Sequence, residues 1–314
     1  MNLGQKSERN MNKKIAYLIV LVALMGFPIV FGEFNTIILT ELFILAIFSM
    51  SLDIILGFTG LVSFGHAAFL GVGAYVTGYL LTKTGCPMLL AVLMGGVGSA
   101  IIAYPIGYVS VRSKGLYFAM LTLAFAQLLY TLAYKLRNIT GGDDGMIGIH
   151  RGTLFGFVDL NSPIAFYYLV LFCLGFLLFL CSFVVKSPFG KVLVGIRENE
   201  NRVESLGYNV DRYKILAFVL AAAVAGCAGG LYSCFMGYVG PTIMYWLMSG
   251  QAIMMVIMGG IGSLIGPIIG AGVFTLIQEI LSSYIENWML VVGIIFAVFV
   301  ILVPRGIVGV FRKT

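Results

Sequence analysis

Lys186-Ser-Pro-Phe-Gly-Lys-Val-Leu-Val-Gly-Ile-Arg-Glu-Asn-Glu-Asn-Arg-Val-Glu-Ser-Leu-Gly-Tyr-Asn-Val-Asp-Arg-Tyr-Lys214 holds ten charged residues, and long apolar runs fill most of the rest of the chain. The whole chain of 314 residues has only 19 Lys and Arg and 13 Asp and Glu. Hydrophobic residues make up 60% and charged residues 10%, which leaves too little polar material to coat a soluble domain of this size. The contrast predicts a membrane protein with one substantial polar element on one face.

Several apolar runs reach the roughly 20 residues needed to cross a bilayer. Backbone in lipid must satisfy its hydrogen bonds internally, so the spans are expected to be helices; a barrel would show shorter segments of alternating polarity. The fold class read here is all-α, a polytopic membrane helix bundle of about ten spans, with eight or nine also compatible. The spans are placed at 15–32, 35–56, 64–82, 88–111, 115–134, 164–185, 214–236, 243–259, 264–284 and 288–303. Lys13 and Lys14 precede an apolar run that lacks a small-x-small cleavage site, and it reads as a retained first span.

Basic residues then orient the bundle. Lys13, Lys14, Arg112, Lys114, the six basic residues of 186–214, Arg305, Arg312 and Lys313 all fall on one side, which the positive-inside rule makes cytoplasmic. Lys83, Lys135, Arg137 and Arg151 fall outside. The resulting division is a cytoplasmic tail 1–14, six spans in 15–185, a cytoplasmic loop 186–213, four spans in 214–303 and a cytoplasmic tail 304–314. The net charge of +6 is thus spent on topology, with no nucleic-acid partner implied. Cys86, Cys173, Cys181, Cys227 and Cys234 form no Cys-x-x-Cys pair or metal-like spacing and read as small buried hydrophobes.

Small residues recur every four positions at Ala91, Gly95, Ser99, Ala103 and Gly107, a face along which helix backbones approach closely. Gly262, Gly266 and Gly270 repeat the spacing, and Gly226 with Gly230 adds a third seam. Gly57-Phe-Thr-Gly60 and Gly259-Gly-Ile-Gly262 each precede a span. Two such starts are compatible with a duplicated half whose copies run in opposite orientations, as in inverted-repeat transporters.

Within the polar stretch, Ser187 and Pro188 make a good helix start. The helix is expected to run through Val192, Leu193 and Ile196, to carry a Glu198–Arg202 ion pair at a spacing of four, and to stop at Gly207. By itself this is either a solvated loop or a docking helix for a cytoplasmic partner.

Gly57-Phe-Thr-Gly-Leu-Val-Ser-Phe-Gly-His-Ala-Ala-Phe-Leu-Gly-Val-Gly-Ala-Tyr75 resembles the signature of LivM-type permeases, membrane subunits of branched-chain amino acid ABC importers. Further segments match in order: Tyr117-Phe-Ala-Met-Leu-Thr-Leu-Ala-Phe-Ala-Gln127, Thr140-Gly-Gly-Asp-Asp-Gly145, Ser187-Pro-Phe-Gly-Lys191, Ile196-Arg-Glu-Asn-Glu200, Glu204-Ser-Leu-Gly207 and Gly259-Gly-Ile-Gly-Ser-Leu-Ile-Gly-Pro267. The resemblance covers roughly residues 40–310. Asp53 is a departure, since the family more often has asparagine there.

The resemblance implies an importer subunit that moves leucine, isoleucine or valine inward by alternating access. Urea or short amides are the alternative substrates within the family. It implies a coupling segment built from Pro188, Gly190, Arg197, Glu198, Glu204 and Gly207. It also implies a LivH-type permease partner, two ATP-binding subunits and an extracytoplasmic solute-binding protein. The chain has no Gly-x-x-x-x-Gly-Lys-Ser/Thr loop, so ATP is expected on the partner subunits and no cofactor on this chain. Ser63, Gly65, His66 and Gln127 are candidates for the translocation path, with a buried structural role as the other reading of His66. Gly142, Asp143 and Asp144 are candidates for contact with the binding protein, or a plain surface turn. No catalytic or metal site is read: clustered histidines, His-Glu-x-x-His and Gly-x-Ser-x-Gly are missing from the sequence. A secondary transporter with Asp53 as coupling carboxylate is the competing class, and it would leave the polar stretch without a task.

Overall fold

The computed structural model describes the backbone over residues 3–154, 157–284 and 286–311, and side chains over 22–153, 157–284 and 286–310. Met1, Asn2, Arg312 and Lys313 of the two expected tails lie outside the described residues, and so do the side chains of Lys13 and Lys14.

The first helix, α1 (Leu3–Thr59), is two helical arms that meet at Gly32, whose φ of 76° and ψ of 179° break the helix. Leu24 and Phe43 would stand about 28 Å apart along an uninterrupted helix. Instead the Tyr167 hydroxyl donates to Leu24 O at 2.7 Å while its ring lies 5.6 Å from that of Phe43. The chain therefore turns back at Gly32, and the arms take the places of the first two expected spans.

The remaining spans follow in the expected order as α2 (His66–Thr84), α3 (Met88–Ser110), α4 (Leu116–Lys135), α6 (Pro163–Lys186), α9 (Val210–Met236), α10 (Trp246–Gly259), α11 (Ile265–Tyr284) and α12 (Trp288–Leu302). Short helices α5 (Arg137–Thr140), α7 (Pro188–Glu198), α8 (Glu200–Ser205) and α13 (Gly306–Phe311) join them. Among the described residues seven helical segments are long and apolar enough to cross a membrane, with the C-terminal arm of α1 counted in Val22–Thr59. The 14-residue α10 is apolar but shorter, and α2 is absent from that set although most of its length is buried in the bundle. Glycine, threonine and tyrosine lower the hydropathy of α2 because it packs against protein and not lipid.

At the centre α9 packs on α1, α2 and α3, and the expected small-residue seams are where the backbones meet. A methyl group at Gly229 would stand 1.8 Å from Leu70 O, and one at Gly73 would stand 2.1 Å from Gly226 O. Ser99 Oγ donates to Phe69 O at 2.8 Å and Thr77 Oγ1 to Ala91 O at 3.1 Å, so polar groups inside the seam are partnered. The second seam joins α10 and α11 through Gly259, Gly266 and Gly270; Gly262 instead lies outside both helices, in the turn between them, with φ at 76°. Outward faces of α3, α6 and α12 carry Ile101, Phe172, Phe179, Ile301 and Leu302, as contact with acyl chains requires.

The two ends of the bundle carry different loops. Residues 146–147 pair antiparallel with 238–239, Ile149 N donates to Gly237 O, and Arg151 reaches Cys234 O and Phe235 O. At the opposite end the α3–α4 turn, the stretch 186–214, the α10–α11 turn and Arg305 come together. This grouping matches the sides assigned from basic residues.

Candidate functional site

The polar stretch folds as two short helices laid across one end of the bundle. Pro188 opens α7, but the Ser187 hydroxyl donates back to Val184 O at 2.6 Å and closes α6 instead of capping α7. Gly190 is buried, and a methyl there would stand 2.0 Å from Val185 O, so this glycine lets α7 fold tightly against the end of α6.

The expected single helix is interrupted at Asn199, with φ at −160° and ψ at 99°. The Asn199 side chain accepts from Arg202 N at 3.0 Å and starts α8, the competition for backbone donors typical of asparagine. Glu198 and Arg202 consequently sit on different helices, and the expected pair between them is replaced. Glu200 instead meets Lys214 Nζ at 2.9 Å and Lys114 Nζ at 3.5 Å. Burial pushes the Glu200 carboxyl up, but the Lys214 hydrogen bond and the two ammonium charges outweigh it and hold the group below its ordinary value. Gly207 follows α8 with φ at +87°, the stop anticipated from sequence.

Burial divides the segment in two. Leu193, Ile196 and Val203 face the bundle, and Lys214 is buried beneath them. Glu198, Glu204, Gly207 and Tyr208 are exposed, and Leu206 is 71% exposed at the tip.

Arg197 points inward from α7. Its guanidinium donates to Gly57 O at the end of α1, and a methyl at Gly262 would stand 3.0 Å from its Nη1. Asp53, fully buried one turn earlier on α1, accepts from Gly262 N at 2.8 Å and Ser263 N at 3.1 Å. The two glycine-rich segments 57–60 and 259–262 thus lie against each other, held by one acidic and one basic side chain.

Ser63, Gly65 and His66 are buried together before and at the start of α2. His66 Nε2 is 2.8 Å from Ser51 Oγ, and its ring stacks on Phe48 at 5.5 Å. The gap between Gly65, Phe69, Thr122 and Phe218 has no room for water. Gln127 is not brought to this cluster; it is exposed on α4. At the other end of the bundle Asp143 and Asp144 are exposed on a turn in which Gly142, itself buried, donates its N–H to Thr140 Oγ1. A cavity of about 510 Å³ opens at that end among Thr40, Arg151, Asn161, Phe166 and Phe235.

A family model described as "Branched-chain amino acid transport system / permease component" matches residues 34–303. The chain belongs to this permease family. The LivM permease protein of a high-affinity branched-chain amino acid transport system from Salmonella typhimurium is 28% identical over 96% of this permease and 76% of its own length. The LivH permease protein of Escherichia coli K12 is 27% identical over 84% and 91%. The probable LivM protein of Methanocaldococcus jannaschii is 26% identical over 80% and 82%. No solved structure matches.

Sequence reasoning missed three features of the permease. Leu206 has no signal in the sequence, since a single leucine carries no periodicity. The partner of Lys214 and the hold of Asp53 on Gly262 join residues far apart in the chain. The signal for both was a charge inside or beside an apolar run, which must find a partner.

Proposed function

We propose that this permease is the membrane subunit of an ABC importer that carries leucine, isoleucine or valine inward by alternating access, driven by separate ATPase subunits that dock on residues 186–213. The supporting observation is the two-sided coupling segment: Leu193, Ile196 and Val203 fix it to the bundle while Glu204, Leu206 and Gly207 stay exposed. A solvated loop would have no need of the first face, and an ion-coupled transporter no need of the second. Asp53, the carboxylate that an ion-coupled mechanism would use, has both oxygens taken by backbone N–H groups.

In this reading a LivH-type permease completes the membrane part, ATP is handled by the two ATP-binding subunits, and this chain binds no cofactor. A solute-binding protein delivers substrate at the end carrying Asp143, Asp144 and the Arg151 cavity. The subunit sits in the cytoplasmic membrane with its tails inside. ATP-driven closure of the ATPases moves the docked segment, and the differential affinity of substrate for the two bundle states couples that motion to transport.

The test is uptake of radiolabelled leucine and urea by the reconstituted complex, with ATP or with a proton gradient alone, for wild type and Gly207→Trp. ATP-dependent leucine uptake that the variant loses supports the reading. Urea uptake in its place changes the substrate alone. Gradient-driven uptake indifferent to Gly207→Trp replaces the ABC mechanism with an ion-coupled one.

A further inference from the structure

Resting on the reading just given, we propose that Asp53 and Arg197 are positioning residues that clamp the coupling segment, the end of α1 and the α10–α11 turn into one moving unit. Their task is transmission of the docking stroke into the bundle, and neither is assigned a contact with the ATPase.

Three observations carry this. First, Arg197 is the side chain by which α7 reaches past its own apolar face: it donates to Gly57 O, where α1 is ending and the N–H groups of the next turn no longer compete for that carbonyl. Second, the fully buried Asp53 carboxyl accepts from two consecutive N–H groups of the α10–α11 turn, one on each oxygen. Third, the two grips act on surfaces already touching, since a methyl at Gly57 would stand 2.1 Å from Asp53 Oδ1 and 2.5 Å from Gly262 N. The turn cannot slide along α1 without breaking the Asp53 bonds, and α7 cannot lift from α1 without breaking the Arg197 bond. Packing alone would allow either motion at small expense, because glycines offer no side chains to interlock.

The unit continues beyond the turn. Gly260 lies against Arg305 O, and a methyl at Gly306 would stand 2.5 Å from Gly260 Cα, so the connection leaving α12 rests on the same turn. A stroke on α7 therefore reaches α1, α10, α11 and the start of α13 through one junction. The α2–α3–α9 seam has its own close glycine contacts, and α1 also packs on α9, so the unit adjoins that seam along α1.

The experiment measures leucine moved per ATP hydrolysed by the reconstituted complex, together with the amount of ATPase subunit that copurifies, for wild type, Asp53→Leu and Arg197→Gln. Asp53→Leu keeps the size but removes both acceptors, whereas Asp53→Asn would only install the residue the family more often has there; Arg197→Gln is too short to reach Gly57. The expected result is normal copurification with continued ATP hydrolysis and a ratio lowered about tenfold, the scale of one lost hydrogen bond. A ratio equal to wild type overturns the clamp, and so does uptake that falls only in step with lost ATPase subunit. If Asp53→Leu does not assemble, Arg197→Gln decides alone by the same criteria. Wild type without ATP-dependent uptake would instead refute the importer reading itself.

Discussion

Lys214 Nζ lies 2.9 Å from Glu200 Oε2 beneath the coupling segment, so a buried ammonium on α9 depends on one carboxylate of α8. Glu200→Gln leaves that ammonium with a neutral partner and is expected to destabilise the protein by about 1–3 kcal/mol. The pH dependence has a definite sign. The folded carboxyl titrates below its ordinary value of 4.5, so the stabilisation is fully present above 4.5 and is lost as pH falls through the lower native value. Thermal melts of the detergent-purified protein should show wild type losing more stability on acidification than Glu200→Gln. Parallel pH curves for the two proteins would remove Glu200 from the account.

Under the proposed mechanism, Leu206 serves docking and not folding. At 71% exposure it contributes little to the bundle, so Leu206→Asp should leave the melting midpoint within the roughly 0.5 kcal/mol range of surface changes. Capture of ATPase subunits on an affinity resin should drop about tenfold or more, as for an apolar anchor at an interface. A lowered melting midpoint with unchanged capture would show that Leu206 serves the fold.

The glycine seam offers a paired comparison. Gly229→Ala pushes a methyl to 1.8 Å from Leu70 O, whereas Gly293 on α12 has open space around it. The first change should lower stability by at least about 1–3 kcal/mol, the scale of core overpacking. Gly293→Ala should be neutral or slightly stabilising, because it removes glycine's backbone freedom from a helix. Fluorescence-monitored size-exclusion profiles after a heating series would rank the two, and equal ranking would mean that α2 and α9 do not meet through Gly229.

Much of this architecture was legible from the order of polar and apolar residues. The expected spans fall in order on helices, seven of which among the described residues are long and apolar enough to cross a membrane, because hydrophobic run length is a local property that lipid rewards directly. The four-residue spacing of Ala91, Gly95, Ser99, Ala103 and Gly107 likewise announced a close helix contact. What escaped was set by geometry between distant segments. The pairing of Glu198 with Arg202 fails because Asn199 closes one helix and opens another, a contest between side chain and backbone that spacing alone does not resolve. Asp53 stood out as a charge in an apolar run, but its partners lie on a turn more than two hundred residues away. Gln127, a path candidate from its motif position, is exposed on α4 while His66 is buried, a difference in burial that motif position does not show.

Sidedness decides whether docking can occur at all. Asp144 and Glu198 are both exposed, at opposite ends of the bundle, and neither carries a hydrogen bond or ion pair that a substitution would break among the described contacts. In a Cys86→Ser background, which removes a partly exposed thiol beside α2, Asp144→Cys should react with a membrane-impermeant maleimide on intact cells. Glu198→Cys should react only once the membrane is opened, because basic residues cluster at its end and hold it inside. The natural cysteines of the spans provide little background, since they lie buried or half-buried within apolar helices, away from a membrane-impermeant reagent. Labelling of Glu198→Cys on intact cells would place the coupling segment outside, where no ATPase could reach Leu206 or Gly207, and the importer mechanism would fall with it.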